Sequence, residues 1–426
     1  MSDVSTRGDA TAAGRRPRPR AALPALCLTQ ITSWGVVYYA FPVLNPDITA
    51  ATGWSPAATT AAFSAALLVS ALAGIRVGRI LDAHGPRRVM TMGSAAGTTS
   101  LALVATAPNL PQFVAGWLLA GLAMSATFYQ PAFAALTRWY APDHVRALTT
   151  VTLAGGLAST VFAPLTAQLA THFSWRHTYL ILAAVLAALT LPAHALALRG
   201  PWPSAPPPPA ASPASATGIA RSRTFVLLAA ALTLSAFAMY AVVVTVVPLL
   251  LERGYTAGQA AWVLGLGGLG QTLGRTLYAA LARRTRPAAR AAALVGLGGL
   301  STLAFALIPG PYALLAALAV TAGAVRGNLT LLQATAITDR WGTTHYGRLS
   351  GLLAAPTLTA SALAPFAGTA LAAPLGGYPH LFAVLAAISA IAALTAHRTT
   401  PRRGKLPGEG ATAPEPTRRL PGRCRR

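Results

Sequence analysis

Gly78-Arg79-Ile80-Leu81-Asp82-Ala83-His84-Gly85-Pro86-Arg87-Arg88 is a short charged connection between two apolar stretches, at about 57 to 78 and 89 to 107. Each stretch is close to the ~20 residues that an α-helix needs to cross a bilayer. Outward in both directions the pattern continues, with further apolar stretches at about 22 to 44, 110 to 133, 148 to 170, 176 to 198, 224 to 251, 258 to 281, 291 to 309, 312 to 337, 349 to 373 and 379 to 397. Twelve membrane-spanning helices are therefore expected, an all-α polytopic fold. Composition agrees: 54% of the 426 residues are hydrophobic and only 10% charged, with a mean hydropathy of +0.53. A water-soluble domain of this length has no use for that balance.

The charges are unevenly placed. Of 33 Lys and Arg residues, only Arg176 and Arg253 fall on one side of the predicted bundle, three lie inside spans (Arg76, Arg275, Arg326), and the rest crowd the side of the two tails. By the positive-inside rule both termini are cytoplasmic, as expected for a multi-pass protein of the cytoplasmic membrane. The net charge of +24 does not point to nucleic acid, because the basic residues sit in short loops and tails with no folded soluble domain to present them. Two cysteines, Cys27 in the first span and Cys424 in the tail, are placed too differently for a disulfide or a metal site. The apolar run behind the basic N-terminus exceeds a signal-peptide core and is expected to stay as an anchor. Pro201 to Ser215, with Pro206 to Pro209 consecutive, cannot form a regular helix or sheet and reads as a linker. The expected layout is a basic N-tail (1–21), a six-helix bundle (22–198), a Pro-rich linker (199–223), a second six-helix bundle (224–397) and a basic disordered C-tail (398–426).

The two bundles repeat one another. At an offset of 201, Thr137, His144, Leu148, Leu157, Ala163 and Pro164 match Thr338, His345, Leu349, Leu358, Ala364 and Pro365. At 202, Gly121, Ala134, Arg138 and Trp139 match Gly323, Ala336, Arg340 and Trp341, and at 206 Val36, Val37 and Pro42 match Val242, Val243 and Pro248. Repeats of this kind place a solute site near the midplane between the halves.

The opening segment resembles the loop signature of the major facilitator superfamily: a glycine, an aspartate four residues later, then a glycine followed by basic residues. Ala83 stands where the basic residue after the aspartate is usual. With twelve spans, a central linker and Trp175-Arg176 opening the sixth helix, the resemblance covers about residues 22 to 397. It implies two six-helix bundles related by a pseudo-twofold axis, and a conformational latch on the tail side made by Gly78, Asp82, Gly85, Arg87 and Arg88. Within the superfamily the chain is most similar to monocarboxylate-porter and oxalate/formate-type carriers, through Trp34 to Leu44, Gly53-Trp54-Ser55, Arg138-Trp139-Tyr140 with Arg146, and Gly270-Gln271-Thr272-Leu273-Gly274-Arg275. Those carriers often have an aspartate four residues before the helix-8 arginine for proton coupling; here that position is Gln271. Drug/proton antiporters usually carry an arginine in helix 4 and Gly-Pro in helix 5, where this chain has no helix-4 arginine and has Ala163-Pro164.

The candidate site follows from charge. All nine carboxylates, Asp3, Asp9, Asp47, Asp82, Asp143, Glu252, Asp339, Glu409 and Glu415, lie outside the apolar stretches. Arg326, halfway along helix 10, therefore has no acid to neutralise it, and an uncompensated intramembrane arginine marks a functional site. Thr330 and Gln333 share its face, four and seven residues on. Arg275, with Gln271 one turn before it, either contacts substrate or snorkels to headgroups. Gln30, Trp34 and Tyr38 form a polar-aromatic stripe on helix 1, and Tyr240 is the helix-7 counterpart of Trp34.

These residues describe a transporter working by alternating access on a small organic anion such as a monocarboxylate. Arg326 holds the charge, while Trp34, Tyr38 and Tyr240 enclose the apolar part. A symported proton travels on the substrate's own acid group; facilitation or exchange is equally compatible. Efflux of a drug or antibiotic is the alternative. No metal-ligand cluster, nucleophile–base pair or phosphate loop occurs in any connection, so neither an enzyme nor a cofactor is expected. One polypeptide supplies both halves, so a monomer suffices.

Overall fold

The computed structural model describes residues 19–140, 144–202, 213–341 and 346–399. The tails 1–18 and 400–426, the linker centre with Pro206 to Pro209, and Asp143 and His345 lie outside the described residues.

Among the described residues, twelve long helices run back and forth through the molecule. Helix α1 covers residues 22–52, as Ala22–Ser33, a π-helical turn Trp34–Tyr39 and Ala40–Thr52. Then come α2 (Pro56–His84), α3 (Pro86–Ala105), α4 (Leu110–Trp139, broken at Phe128), α5 (144–172, broken at Leu157) and α6 (Trp175–Ala197). The second half holds α7 (Arg223–Glu252), α8 (Ala257–Arg284), α9 (Pro287–Leu307), α10 (Tyr312–Thr335), α11 (Tyr346–Ala372) and α12 (Tyr378–His397). Among the described residues nine helices are long and apolar enough by length and composition to cross a membrane. The other three are α1, diluted by Gln30, Tyr38, Tyr39 and Asn45, α3, which begins with Arg87 and Arg88, and α8, diluted by glycines and Arg275.

Helix ends are set by local chemistry. Side chains of Ser55, Asn109, Ser174, Ser222 and Thr256 accept hydrogen bonds from first-turn N–H groups, so five helices start where a capping residue stands. Most helices overrun the apolar stretches that announced them, because amphiphilic turns continue past the hydrocarbon: α2 runs to His84 and not to residue 78. One expectation is corrected here. The linker is helical at its end, over Pro213–Ala220, because proline at the first helical position loses no hydrogen bond that the helix needs.

Both basic residues on the face opposite the tails cap helix ends. Arg176 donates to the Ala105 carbonyl at the end of α3 (2.8 Å), and Arg253 donates to Phe305, Ala306 and Ile308 at the end of α9 (2.6, 2.9 and 2.8 Å). A guanidinium there satisfies carbonyls that the helix leaves free and offsets the negative end of its dipole.

On the tail side each half has its own ion pair. Asp82, at the end of α2, pairs with Arg138 of α4 at 2.5 Å, while the Trp202 indole N–H donates to the Asp82 carbonyl (3.0 Å) and Arg138 lies over the Trp202 ring. Arg87 donates to the Ala195 carbonyl (2.8 Å) and Gly85, at φ +79°, packs against Trp202; Gly78 has open space around it and Arg88 is exposed. These contacts anchor the loop within its own half. In the second half the polarity is reversed: Asp339, after α10, accepts from Arg290 at the start of α9.

The two halves meet unevenly. On the face away from the tails, one buried cluster runs unbroken from Val36, Phe41, Phe63 and Trp117 in the first half to Val243, Leu250, Leu264 and Phe382 in the second. On the tail side the cores are separate, one around Leu26, Met90, Leu136 and Trp139, the other around Phe225, Leu294, Leu332 and Leu353. The halves are thus joined at one end and parted at the other, with the tail-side stretch of α11 exposed at Gly351, Leu352 and Leu358.

Inside the second half, glycines press α8 onto α10. A Cβ on Gly323 would stand 2.0 Å from the Gly267 carbonyl oxygen, one on Gly270 2.0 Å from that of Val320, and one on Gly327 2.1 Å from that of Gln271. Small residues permit this approach in lipid, where van der Waals contact drives helix association. The glycines bring Arg326 and Gln271 onto adjoining helices. Gly323→Val should cost about 3 kcal/mol or more and lower the apparent melting temperature of the purified protein. Gly351→Ala, whose added carbon meets open space, is the control; a Gly323→Val protein melting like wild type would contradict this packing.

Candidate functional site

A cavity of about 290 Å³ lies between the halves and is lined from α1, α2, α4, α5, α7, α8, α10 and α11. Its first-half wall is aromatic. Trp34 stacks on Phe128 with ring centroids 4.0 Å apart and leans on Tyr129 (5.3 Å) and Tyr38 (5.4 Å). Tyr38 packs edge-on against Tyr39 and Phe63, and Phe63 stacks on Phe41. Such arrays are rigid and apolar, with polar tips that need partners. Two tips are unmatched: the Trp34 indole nitrogen and the Tyr38 hydroxyl are buried without a hydrogen bond.

The π turn shapes this wall. Each π turn carries an extra residue, so side chains that a regular helix would spread apart converge, and Trp34, Tyr38 and Tyr39 all reach the cavity. Gly35 lies on the opposite face, where an added Cβ would overlap the Phe162 ring of α5 at 2.1 Å.

The second-half wall carries the charge. Arg326, Thr330, Gln271, Arg275 and Tyr240 line it. The Arg326 Nε and Nη2 atoms are buried with no hydrogen-bond partner, and the ion pairs among the described residues are those of Asp82 and Asp339 near the tail-side helix ends. Thr330, one turn along from Arg326, also lines the cavity, and its Oγ1 donates to the Arg326 main-chain carbonyl (3.3 Å).

Arg275 is 7% exposed, which removes the expectation that it snorkels to headgroups. Its Nη1 donates to the Thr152 carbonyl of α5, across the boundary between the halves, and Thr272 Oγ1 donates to the neighbouring Leu153 carbonyl (3.3 Å). Both acceptors lie just before the break at Leu157, where an interrupted helix leaves carbonyls short of main-chain donors. Arg275 therefore lines the cavity and ties the halves together.

Two expected residues stand outside the lining. Gln30 is fully buried and its amide donates to the Thr127 and Phe128 carbonyls (2.6 and 3.4 Å), acceptors freed where α4 breaks at an extended Phe128. Its role is to satisfy that break. Gln333 shares the helical face of Arg326 but lies about 10 Å further along the axis, past the cavity. Conversely, Tyr39, Phe128, Met239 and Ser361 line the cavity and were not in the expected set. Of these, Tyr39 and Phe128 were hidden because a π turn and a helix break have no periodic signal.

Residues 26–355 match the family profile described as Major Facilitator Superfamily. Among curated proteins, Monocarboxylate transporter 11 of Homo sapiens is 30% identical over 227 residues, which is 52% of this chain and 48% of that protein. The match thus spans about half the length of the human relative. Two solved structures share the fold: the nucleoside transporter NupG, at TM-score 0.68 and 14% identity over 89% of this chain and 99% of that one, and a bacterial homolog of the human lysosomal transporter Spinster, inward-facing and unoccupied, at TM-score 0.68 and 16% identity over 91% of this chain and 95% of that one.

Replacing Gln30 by Leu should leave the Thr127 and Phe128 carbonyls unsatisfied, costing about 1–3 kcal/mol and lowering the melting temperature. An unchanged melting curve would return Gln30 to the list of solute contacts.

Proposed function

The chain belongs to the major facilitator superfamily, and is thus a multi-pass membrane transporter of small molecules and not an enzyme; from that premise we propose that its solute is a small organic anion with an apolar body, in the manner of a monocarboxylate. One observation carries the reading: in a cavity walled by aromatic rings, the Arg326 guanidinium has buried, unpartnered nitrogens and no carboxylate beside it. A guanidinium stays charged in any such environment and presents a planar fork that a carboxylate fits bidentately. The solute's carboxylate supplies the missing negative charge, and Trp34, Tyr38 and Tyr240 hold its apolar part. The partial likeness to a human monocarboxylate transporter supports the same class. An uncharged drug gives the guanidinium no partner, which ranks efflux of such compounds second.

The tail side is cytoplasmic by the excess of basic residues there, so this conformation is open to the cytoplasm. Alternating access then requires the joined end to part and the tail-side cores to meet. In that opposite state the loop around Asp82 serves as the latch, with Gly78 and Gly85 giving it room, and Arg87 and Arg88 its charge. The membrane is the cytoplasmic one, and a single chain suffices.

The transport test is uptake of radiolabelled small monocarboxylates into proteoliposomes. Arg326→Gln is expected to lower uptake about 100-fold while the protein remains folded, and Arg326→Lys to fall between, because an ammonium cannot form the fork. Undiminished uptake by Arg326→Gln would refute the assignment.

A further inference from the structure

Behind Arg326, away from the central cavity, lies a second and smaller chamber of about 50 Å³ inside the second half, enclosed by α7, α9, α10 and α12. Arg326 and Met239 line both spaces and form the wall between them. The chamber is lined by four hydroxyls, those of Ser235, Ser301, Thr302 and Ser389, set among apolar side chains. Four hydroxyl-bearing residues and Arg326 lining one chamber form a polar site that the transport reading does not use.

We propose that this chamber binds a small monovalent inorganic anion, of the chloride type, as the resting counterion of Arg326. The inference rests on the unpaired charge of Arg326 and does not depend on which organic solute is carried. Three observations support it.

The first is charge. Arg326 is short of a partner in the empty transporter, and a buried ion without one is costly enough that a counterion is drawn in. Asp339 is engaged by Arg290 at the tail side, so it cannot serve.

The second is size. A chamber of about 50 Å³ admits a monatomic ion with a water or two, whereas an organic acid needs the cavity of about 290 Å³ next to it.

The third is the hydroxyl chemistry. Ser235 makes no hydrogen bond among the described residues and has its hydrogen free. Ser301 and Thr302 donate to the Gly298 carbonyl (2.8 and 2.9 Å), and Ser389 to that of Leu385 (3.0 Å). A hydroxyl hydrogen turns about its Cβ–Oγ bond, so each can point into the chamber without moving its oxygen, and the helical carbonyl keeps its main-chain donor. The chamber can thus surround an anion with O–H groups on several sides and a guanidinium on another. A cation is repelled by that guanidinium.

The test uses the purified full-length protein and sodium chloride as the probe. Chloride replaces methanesulfonate, an anion too bulky for the chamber, at constant ionic strength while the melting temperature is followed. The expected result is a saturable rise of about 2 °C or more, because an ion bound only by the folded state stabilises it. Arg326→Gln should abolish the rise, and the double substitution Ser235→Ala with Thr302→Val should weaken apparent chloride affinity at least tenfold. Crystals soaked in bromide should show an anomalous peak in the chamber, an arm that decides the matter if the double variant does not fold. No chloride dependence in wild type, or an equal dependence in the double variant, would mean the chamber holds only water. In that case, loss of organic-acid uptake in Arg326→Gln would leave the transport reading standing; a chloride response with undiminished uptake would sink that reading and keep this one.

Discussion

Hydrocarbon offers no hydrogen-bond partner, so each polar group that this chain carries into the membrane must find one within the protein, and the architecture is organised around that demand. Arg176 and Arg253 close the ends of α3 and α9. Gln30 answers the break in α4, while Arg275 and Thr272 answer the break in α5 from the other half of the molecule. Among the buried side-chain atoms left without a partner, the Arg326 Nε and Nη2, the Arg275 Nε, the Trp34 indole nitrogen and the Tyr38 hydroxyl belong to residues that line one cavity. A solute with an acid group and an apolar body is the complement of that set.

The same demand links the site to the conformational change. Arg275 is both a wall of the cavity and a donor to the Thr152 carbonyl across the boundary. On the proposed reading, an anion that competes for that guanidinium would loosen a contact between the halves and so link occupancy to the relative position of the bundles. The glycine-lined contact between α8 and α10 keeps Arg326 and Gln271 in fixed relation while the halves move, because a close-packed helix pair shifts as a unit. The unbroken core on one side and the two separate cores on the other mark the closed end and the open end of this conformation.

Much of this was legible in the sequence, for identifiable reasons. Apolar length and the positions of Arg and Lys are strong signals in lipid, so the spans and the tail-side excess of charge could be read directly. The placing of Arg326 and Thr330 on one face follows from helical spacing, and Trp34, Tyr38 and Tyr240 reach the cavity as their positions suggested. What could not be read depends on departures from regular helix. The π turn at Trp34–Tyr39 brings Tyr39 into the cavity, and the extended Phe128 turns Gln30 from a solute contact into a structural donor. Gln333 illustrates a further limit: sharing a face is not the same as sharing a depth. Arg275 looked like a residue near a helix end; only the break in α5, a helix of the opposite half, explains why it points inward.

The central claim is that the solute's negative charge, and not its bulk, satisfies Arg326. It is tested most directly by measuring the affinity of the purified transporter for a monocarboxylate and for its primary amide, which has nearly the same shape and no charge. The account predicts that the carboxylate binds about 10 to 100 times more tightly, the difference expected for charge-assisted hydrogen bonds to a buried guanidinium. Equal affinity for acid and amide would contradict it.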